Sequence, residues 1–304
     1  MAMRHQPVLK NEVLEYLKPT PGENFIDCTF GFGGHSFAIL EKIKPDGKVL
    51  GIEADEKEIE ILEKGGLNER LVLVRGNFSD LRKIAQENNF SPVNGILFDL
   101  GFSSWQIEAS GRGFSFQKDE PLDMRLDTWA LMTAKQIVNS WPKEKLAEIF
   151  RENGEERYAL RIADLIYQSR RRKEIETTSQ LVEIIRKAVP FAYQRRKIPR
   201  SGKPQGGKHF ATKTFQALRI AVNDELGNLE KALPQALELL EKGGRLAVIS
   251  FQSLEDRLAK NFLREEKRKN TLKILTPKPV RPSLEEIREN PRSRSAKMRS
   301  AVKI

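Results

Sequence analysis

The chain has 304 residues, of which 39% are hydrophobic and 31% are charged, and its formal net charge is +11. This composition is typical of a globular protein with one large or two ordinary domains, and the sequence contains no run of 18 apolar residues that would span a membrane. The excess of basic residues favours a polyanionic partner, most simply a nucleic acid.

The use of cysteine and histidine bears on compartment and metal binding. A single cysteine, Cys28, excludes disulfide bonds within the chain, and the first residues lack the apolar core of a signal peptide. We therefore expect a cytoplasmic protein. Three histidines without a cysteine cluster argue against a structural zinc site, and we expect no metal.

The first hundred residues alternate short apolar runs with helical patterns. Strands that alternate with helices predict a parallel sheet with right-handed crossovers. The expected elements are helix 11–17, strand 25–27, helix 36–43, strand 48–53, helix 55–64, strand 71–74, helix 79–88 and strand 95–99.

Beyond Asp99 the alternation stops, and the next clear strand is 245–249. The residues between show helical periodicity, as at Leu181, Ile184 and Ile185. We therefore expect an α/β fold, a Rossmann-type domain with a mostly parallel sheet that carries an inserted all-helical domain. The expected division is 1–104 with 215–304 for the sheet domain and 105–214 for the helical domain.

The last third of the chain is expected to complete the sheet domain. Two helices, 214–226 and 229–240, rejoin the sheet before strand 245–249. The elements expected after it are helix 254–267, strand 272–275, a loop rich in proline and arginine over 277–294, and a closing strand near 296–304.

A basic segment lies at 194–213. Arg195, Arg196 and Lys197 are followed by four more cations and no acid, with glycine and proline between them. This composition predicts a mobile basic loop, for which a contact with phosphate and a solvated linker both remain open.

Three acids end predicted strands: Asp27, Glu53 and Asp99. Ligands of open parallel sheets bind beyond the carboxyl ends of the strands. Glu53 follows the glycines of the first turn by about twenty residues, where a carboxylate accepts the ribose hydroxyls of an adenosine cofactor. A helix cap is the alternative role for this acid.

The glycine turn after Asp27 fits two cofactors, a dinucleotide or S-adenosylmethionine. Ser36 stands where the dinucleotide pattern Gly-x-Gly-x-x-Gly has its third glycine. Asp27 and Glu53 bring negative charge to the site, whereas a pyrophosphate prefers the positive end of a helix. S-adenosylmethionine has no phosphate and carries a positive sulfonium. Acids around the site therefore favour S-adenosylmethionine.

Asp99 is placed to act on the substrate as it leaves the fourth strand. A carboxylate that accepts the N–H of an aromatic amine localises the nitrogen lone pair and can take the proton afterwards. Methylation of a pyrimidine ring carbon would instead be expected to use a cysteine nucleophile. Cys28 is expected to be a packed core residue, so the pattern favours methylation of nitrogen.

Over nearly its whole length, the sequence resembles a known family, that of ribosomal RNA small subunit methyltransferase H. The matching stretches are His5-x-Pro7-Val8-Leu9, Asp27-x-Thr29-Phe30-Gly31-x-Gly33-Gly34-His35-Ser36, Asp99-Leu100-Gly101-x-Ser103-Ser104-x-Gln106, Arg112-Gly113-Phe114-Ser115-Phe116, Pro121-Leu122-Asp123-Met124-Arg125, Thr214-Phe215-Gln216-Ala217-Leu218-Arg219-Ile220-x-Val222-Asn223-x-Glu225-Leu226, Gly243-Gly244-Arg245-Leu246, Ile249-Ser250-Phe251-x-Ser253-Leu254-Glu255-Asp256-Arg257 and Asn290-Pro291-Arg292-Ser293-Arg294-Ser295.

The resemblance implies a class I methyltransferase that methylates the exocyclic N4 of one cytidine in the decoding region of 16S ribosomal RNA, within the small subunit. The catalytic role stays with Asp99 on the ground of its position at the end of the fourth strand, and homodimer formation stays open. The cofactor positions that it implies are Gly33, Gly34, His35, Glu53, Phe78, Asp99 and Gln106. The alternative is an N-methyltransferase that acts on an amine of another RNA or of DNA. Two other classes to be separated by experiment are an RNA-binding assembly factor and a nicotinamide dehydrogenase.

Two positions depart from the family pattern. Glu53 stands where the family usually has aspartate, and it still supplies a carboxylate. Gln252 stands where the family has histidine, which puts an obligatory proton transfer at that position in doubt.

The loops 111–116 and 119–127 are expected to face the cytidine. Phe114 or Phe116 is expected to stack on the base, and Arg112 or Arg125 to meet phosphate. A structural loop with core aromatics is the alternative.

Overall fold

The computed structural model describes residues 7–66, 68–194 and 209–304. Its strands are β1 (Phe25–Asp27), β2 (Val49–Glu53), β3 (Leu71–Arg75), β4 (Val93–Asp99), β5 (Leu240–Ser250), β6 (Leu272–Ile274) and β7 (Lys297–Lys303). Its helices are α1 (Lys10–Leu17), α2 (Gly34–Lys42), α3 (Glu56–Lys64), α4 (Leu81–Glu87), α5 (Ser104–Glu108), α6 (Ala134–Ser140), α7 (Lys143–Glu152), α8 (Ala159–Arg170), α9 (Thr178–Ala188), α10 (Phe191–Gln194), α11 (Thr212–Asn223), α12 (Glu225–Leu239), α13 (Ser253–Arg268) and α14 (Leu284–Glu289).

The seven strands form one sheet in the order β3-β2-β1-β4-β5-β7-β6. Strands β1 to β5 pair with one another in parallel, and β7 is antiparallel to both β5 and β6. The chain moves outward from β1 to β3 and then returns to the other side of β1 with β4. This reversal creates the switch point at which open α/β sheets bind ligands, and the predicted Rossmann-type α/β fold is confirmed.

The sheet is buried on both faces because successive side chains of a strand point to opposite sides. On β4, Ile96 and Phe98 pack into one apolar cluster, which includes residues of α4, α12 and α13. Leu97 packs into the cluster on the other face, with residues of α1 and α2. The continuous apolar runs of the strands therefore contribute side chains to two hydrophobic cores, one on each face of the sheet.

The chain divides into two compact units, Met1–Ser103 with Leu226–Ile304, and Ser104–Glu225. The first holds the sheet, and the second holds helices α5 to α11. The second unit has its own core, to which α6, α7, α8, α9 and α11 contribute buried side chains.

One predicted boundary is wrong. We expected 215–225 to belong to the sheet domain, but these residues lie in the helical unit. Phe215, Leu218 and Val222 on α11 are buried in the helical core. Because these side chains form one apolar face, they fit a helical core as well as a sheet, and only tertiary packing distinguishes the two.

The segment 277–294 also differs from the expected loop. It contains α14, whose first turn is capped by Ser283, since the Ser283 hydroxyl accepts the amide of Glu286 at 3.1 Å. A 3₁₀ turn, Pro291–Ser295, follows. Most of the predicted basic loop, 195–208, lies outside the described residues. Of the helices that are described, none is long and apolar enough to cross a membrane.

Candidate active site

The glycine turn joins β1 to α2, and aromatic and proline side chains pack closely against its glycines. Gly33 has a φ of +75°, and a Cβ there would lie 2.6 Å from the ring of Phe37 and 2.7 Å from that of Phe30. At Gly34 a Cβ would lie 3.2 Å from Pro7. The positive φ and the two close rings therefore favour glycine strongly at position 33, whereas at position 34 a side chain would only be tightly packed against Pro7.

Behind this turn, Asp27 is almost completely buried at the end of β1. Its carboxylate accepts the hydroxyl of Ser36 at 2.7 Å and the amide of Thr29 at 3.2 Å. The Thr29 hydroxyl in turn accepts the amide of Asp99 at 2.7 Å. These bonds fix the carboxyl ends of β1 and β4 relative to each other.

Burial raises the pKa of Asp27, while nearby His35 and the bond from Ser36 act in the opposite direction. The negative charge of Asp99 adds to the upward shift of this pKa. The interaction shows that Asp27, His35 and Asp99 form one electrostatic group.

Glu53 lies at the end of β2 and is 8% exposed. Its carboxylate accepts the amide of Gly31 at 2.8 Å and that of Asp55 at 2.9 Å. Burial raises the pKa of Glu53 to about 7, although the two amide bonds favour the charged form. The carboxylate is therefore bonded directly to the glycine turn, and it does not cap a helix; the cap of α3 is Asp55.

Asp99 and His35 face each other. Oδ2 of Asp99 lies 3.4 Å from Nε2 of His35, which is buried in the first turn of α2. Within the described residues, Oδ1 of Asp99 and both ring nitrogens of His35 are buried without a hydrogen-bond partner. Buried polar atoms of this kind cost free energy until a ligand or another group bonds to them.

Phe78 lies in a 3₁₀ turn, Phe78–Asp80, after β3. Its ring packs edge-to-face on Phe98 with centroids 5.7 Å apart. The ring thus packs on the hydrophobic core near the carboxyl end of β3, where it offers an apolar surface.

The predicted site residues divide between the two units. The sheet unit contains Gly33, Gly34, His35, Glu53, Phe78 and Asp99. The helical unit contains Gln106, which is buried on α5 and whose backbone carbonyl accepts the hydroxyl of Ser110 at 2.6 Å.

The structure adds Glu58, which the sequence did not indicate. This carboxylate lies on α3 and is fully buried. It accepts the hydroxyl of Ser103, in the loop after β4. Six of the nine residues of α3 are glutamate or lysine, which is typical of an exposed helix, so the sequence contains no signal for this contact.

The two arginines predicted to meet phosphate have structural partners instead. Arg112 is 7% exposed and donates to the carbonyls of Arg125 and Leu126. Arg125 donates to both carboxylate oxygens of Asp123 and to two further carbonyls. Both guanidinium groups are thus occupied in holding the 112–130 loop.

The two aromatic residues predicted to stack on a base pack against the helical core. Phe116 is stacked on His209, with centroids 4.6 Å apart, and its edge meets Phe215. Phe114 lies 5.5 Å from the Arg112 guanidinium. These contacts favour the alternative of a structural loop with core aromatics.

Gln252 immediately precedes α13. Its side-chain amide donates to Glu255 at 2.7 Å, and its backbone amide donates to the same carboxylate at 3.2 Å. This pairing fixes the first turn of the helix.

Cys28, also in question as a reactive group, is buried in the core, and burial raises the pKa of its thiol.

The sheet unit fits a cationic nucleoside ligand. A carboxylate bonded to the glycine turn, Glu53, and a second carboxylate with an unbonded buried oxygen, Asp99, lie at the ends of parallel strands. The charged groups around Asp99 are the acid Asp27 and the imidazole of His35, an environment that suits a cationic ligand better than a phosphate.

The comparisons with known proteins agree with this chemistry. Ribosomal RNA small subunit methyltransferase H of Thermomicrobium roseum is 47% identical, and the alignment covers 100% of this chain and 95% of that protein. The protein of the same name from Symbiobacterium thermophilum is 44% identical, with 100% and 98% covered.

Among solved structures, an rRNA methylase from Streptococcus thermophilus aligns with 100% of this chain and 99% of its own, at 12% identity and a TM-score of 0.44. The profile of the MraW methylase family matches residues 2–304. Because that match extends over almost the entire sequence, this chain belongs to the MraW methylase family.

Proposed function

We propose that this protein transfers a methyl group from S-adenosylmethionine to the exocyclic N4 of a single cytidine in the decoding region of 16S ribosomal RNA. The observation that carries the proposal is the placement of two carboxylates, Glu53 and Asp99, at the carboxyl ends of β2 and β4. Membership in a methylase family supports methyl transfer, and the names of full-length relatives support ribosomal RNA of the small subunit as the substrate.

Glu53 is the residue proposed to accept the ribose hydroxyls of the cofactor. Its own bonds to the amides of Gly31 and Asp55 hold the carboxylate in place. Gly33, Gly34 and His35 line the turn and the start of α2, where the rest of the cofactor is expected to bind. Phe78 supplies an apolar surface, and Gln106 is the remaining cofactor position that the family resemblance implies.

When bound, S-adenosylmethionine supplies an electrophilic methyl group on a sulfonium. Asp99 is proposed to accept the N–H of the cytidine amino group at its carboxylate, since the side chain is 19% exposed at the end of β4. This bond raises electron density on the nitrogen, and the carboxylate then receives the proton. Nε2 of His35 lies 3.4 Å from Oδ2 of the same carboxylate.

Methylation of a ring carbon is disfavoured by the position of the thiol. A carbon methyltransferase would be expected to need an ionised cysteine close to the base. Cys28 is buried in the core, and its pKa is raised by burial. The nitrogen of an amino group needs no such nucleophile.

The test is mass spectrometry of nuclease fragments of 16S ribosomal RNA, prepared from cells with and without this protein. We expect one cytidine of the decoding region to gain a methyl group on N4 only when the protein is present. Recombinant protein incubated with labelled cofactor and unmethylated small subunits should restore the modification. Methylation of a different nucleotide, or of DNA alone, would contradict the proposal.

A further inference from the structure

The helical unit presents a basic surface on α8 that the sequence analysis did not single out. One side of α8 is buried in the helical core through Ile162, Ala163 and Ile166. The opposite side and the residues after it are exposed. We call the following exposed residues the α8 basic face: Arg161, Tyr167, Arg171, Arg172 and Lys173.

The charge of the α8 basic face is not balanced by acids. Arg161, Arg171, Arg172 and Lys173 take part in no ion pair with any residue that the structure describes. The acid on this side of α8, Asp164, is paired with Lys143 at 3.5 Å. A surface whose role is solubility alone usually mixes the two signs.

Other exposed cations of the same unit show the contrast. Arg186 and Lys187 both pair with Glu183, at 2.7 and 3.5 Å. Lys135 lies between Glu174 and Glu176, at 3.1 and 3.2 Å. Within the described residues of this unit, the α8 basic face thus groups four exposed cations that have no ion pair, three of them consecutive in the chain.

An aromatic ring is held among these cations. Arg170 donates to the carbonyls of Val138 and Trp141, at 2.9 and 2.7 Å, and its guanidinium carbon lies 4.9 Å from the centroid of the Tyr167 ring. The guanidinium carbon of Arg171 lies 6.0 Å from the same centroid. The Tyr167 ring is still 37% exposed, so it is positioned by its neighbours and accessible to a ligand.

Single-stranded RNA matches this combination. Its phosphates bind unpaired cations, and its unstacked bases bind exposed aromatic rings that have a guanidinium beside them. Arg161 lies in the first turn of α8, and Arg171, Arg172 and Lys173 follow directly after its last residue. About 14 Å of helix separates Arg161 from the end of α8, which allows contacts with more than one phosphate. The net charge of +11 favours the same class of partner over an acidic protein patch of limited size.

Resting on the proposed function, we propose that the α8 basic face binds the phosphodiester backbone of the substrate RNA and that Tyr167 stacks on an unpaired base. This surface would increase affinity for RNA and would take no part in methyl transfer itself. It would therefore act on the KM for RNA and leave kcat unchanged.

The experiment compares three variants with the wild-type protein in binding naked 16S ribosomal RNA over a range of salt concentrations. The first is Arg171→Gln/Arg172→Gln/Lys173→Gln, for which we expect the slope of log affinity against log salt to fall by about 2, since each phosphate contact with a single strand contributes about 0.7. The matched control is Arg186→Gln/Lys187→Gln, which removes paired cations and should leave the slope unchanged. Tyr167→Leu should weaken binding roughly ten-fold and keep the slope.

Binding of S-adenosylmethionine, measured by equilibrium dialysis, checks that each variant is folded. Wild-type affinity and slope in the triple variant would overturn the inference, as would loss of binding only to ribosomal proteins with RNA binding unchanged. If the wild-type protein binds RNA through this surface but methylates no position of 16S RNA, the proposed function fails and the surface stands. If it methylates the cytidine and the triple variant has an unchanged KM for RNA, the surface inference alone fails.

Discussion

Nε2 of His35 and Oδ2 of Asp99 lie 3.4 Å apart at the carboxyl edge of the sheet. His35 comes from the first turn of α2, and Asp99 ends β4, so the pair joins the glycine turn to the acid proposed to face the substrate. Asp27 lies behind them, and its pKa responds to both. A change at any of these three side chains is therefore expected to affect the other two.

Asp99→Asn should abolish most methyl transfer and leave cofactor affinity within a few-fold of wild type. The amide cannot receive the proton from the amino group, and positioned proton transfer contributes roughly 10²- to 10⁴-fold to a rate. Single-turnover transfer of labelled methyl to small subunits measures the effect. Asp46→Asn, which changes an exposed acid in a turn, is the control. An undiminished single-turnover rate in Asp99→Asn would eliminate this acid as the proton acceptor.

Cofactor affinity should increase with pH around neutrality. The pKa of Glu53 is raised to about 7, and the ionised carboxylate is the better acceptor for ribose hydroxyls. We expect tighter binding of S-adenosylmethionine at about pH 8 than at about pH 6, and weaker, less pH-dependent binding in Glu53→Gln. Isothermal titration calorimetry at several pH values tests this. Equal pH dependence in the wild type and Glu53→Gln would show that another group is responsible.

The same raised pKa should lower the stability of the cofactor-free protein as pH rises. Below pH 4.5, the ordinary pKa of a glutamate, Glu53 is protonated in both the folded and the unfolded protein. Between pH 4.5 and about 7 the unfolded protein loses this proton while the folded protein keeps it, so unfolding becomes more favourable as the pH rises. Urea denaturation should show that Glu53→Gln is less sensitive to pH than wild type over this window. The exposed Glu63→Gln is the control, and it should follow the wild-type curve.

Asp256 should stabilise the sheet unit at neutral pH. Its carboxylate accepts from Arg299 at 2.6 Å and from Lys297 at 3.1 Å, and these two bonds lower its pKa against the effect of burial. The stabilisation is present above the ordinary pKa of 3.8 and is lost as pH falls through the lower, folded value. We expect Asp256→Asn to lower the free energy of unfolding by about 1–2 kcal/mol near pH 7.

Urea denaturation of Asp256→Asn near pH 7 and again at acidic pH measures this difference. Glu265→Gln, which breaks a surface pair with Lys269, should cause no measurable change. If Asp256→Asn remained less stable than the wild type at a pH below the pKa of Asp256 in the folded protein, the cause would be a packing defect and not the lost charge.

Gln252→Ala should affect stability more than catalysis. The side chain bonds to Glu255 at the start of α13, and loss of a bond at a helix start costs about 1 kcal/mol. We expect methyl transfer within about two-fold of wild type after correction for folded protein, and no gain in Gln252→His. A large loss of kcat in Gln252→Ala, with cofactor affinity unchanged, would instead assign this position to the chemistry.

The candidate site could be anticipated only where its residues follow a local pattern. The acids Asp27, Glu53 and Asp99 were predicted to lie together because each ends a strand, and parallel strands end at one edge. Glu58 could not be predicted, since its segment is as charged as any exposed helix. Arg112 and Arg125 were expected to bind phosphate, and the carbonyls that occupy them come from a loop whose path the sequence does not specify.

By itself, the sequence determined the alternation of strands and helices in the first hundred residues, the class of fold and the acids at the carboxyl edge of the sheet. These features depend on the spacing of apolar residues over a few positions, which is a local property. Only the tertiary structure decided that 215–225 belongs to the helical core, that Glu53 bonds to the glycine turn, and that cations remain unpaired on α8. Burial, pKa and ion pairing depend on groups that are distant in the chain, and these become neighbours only when the chain folds.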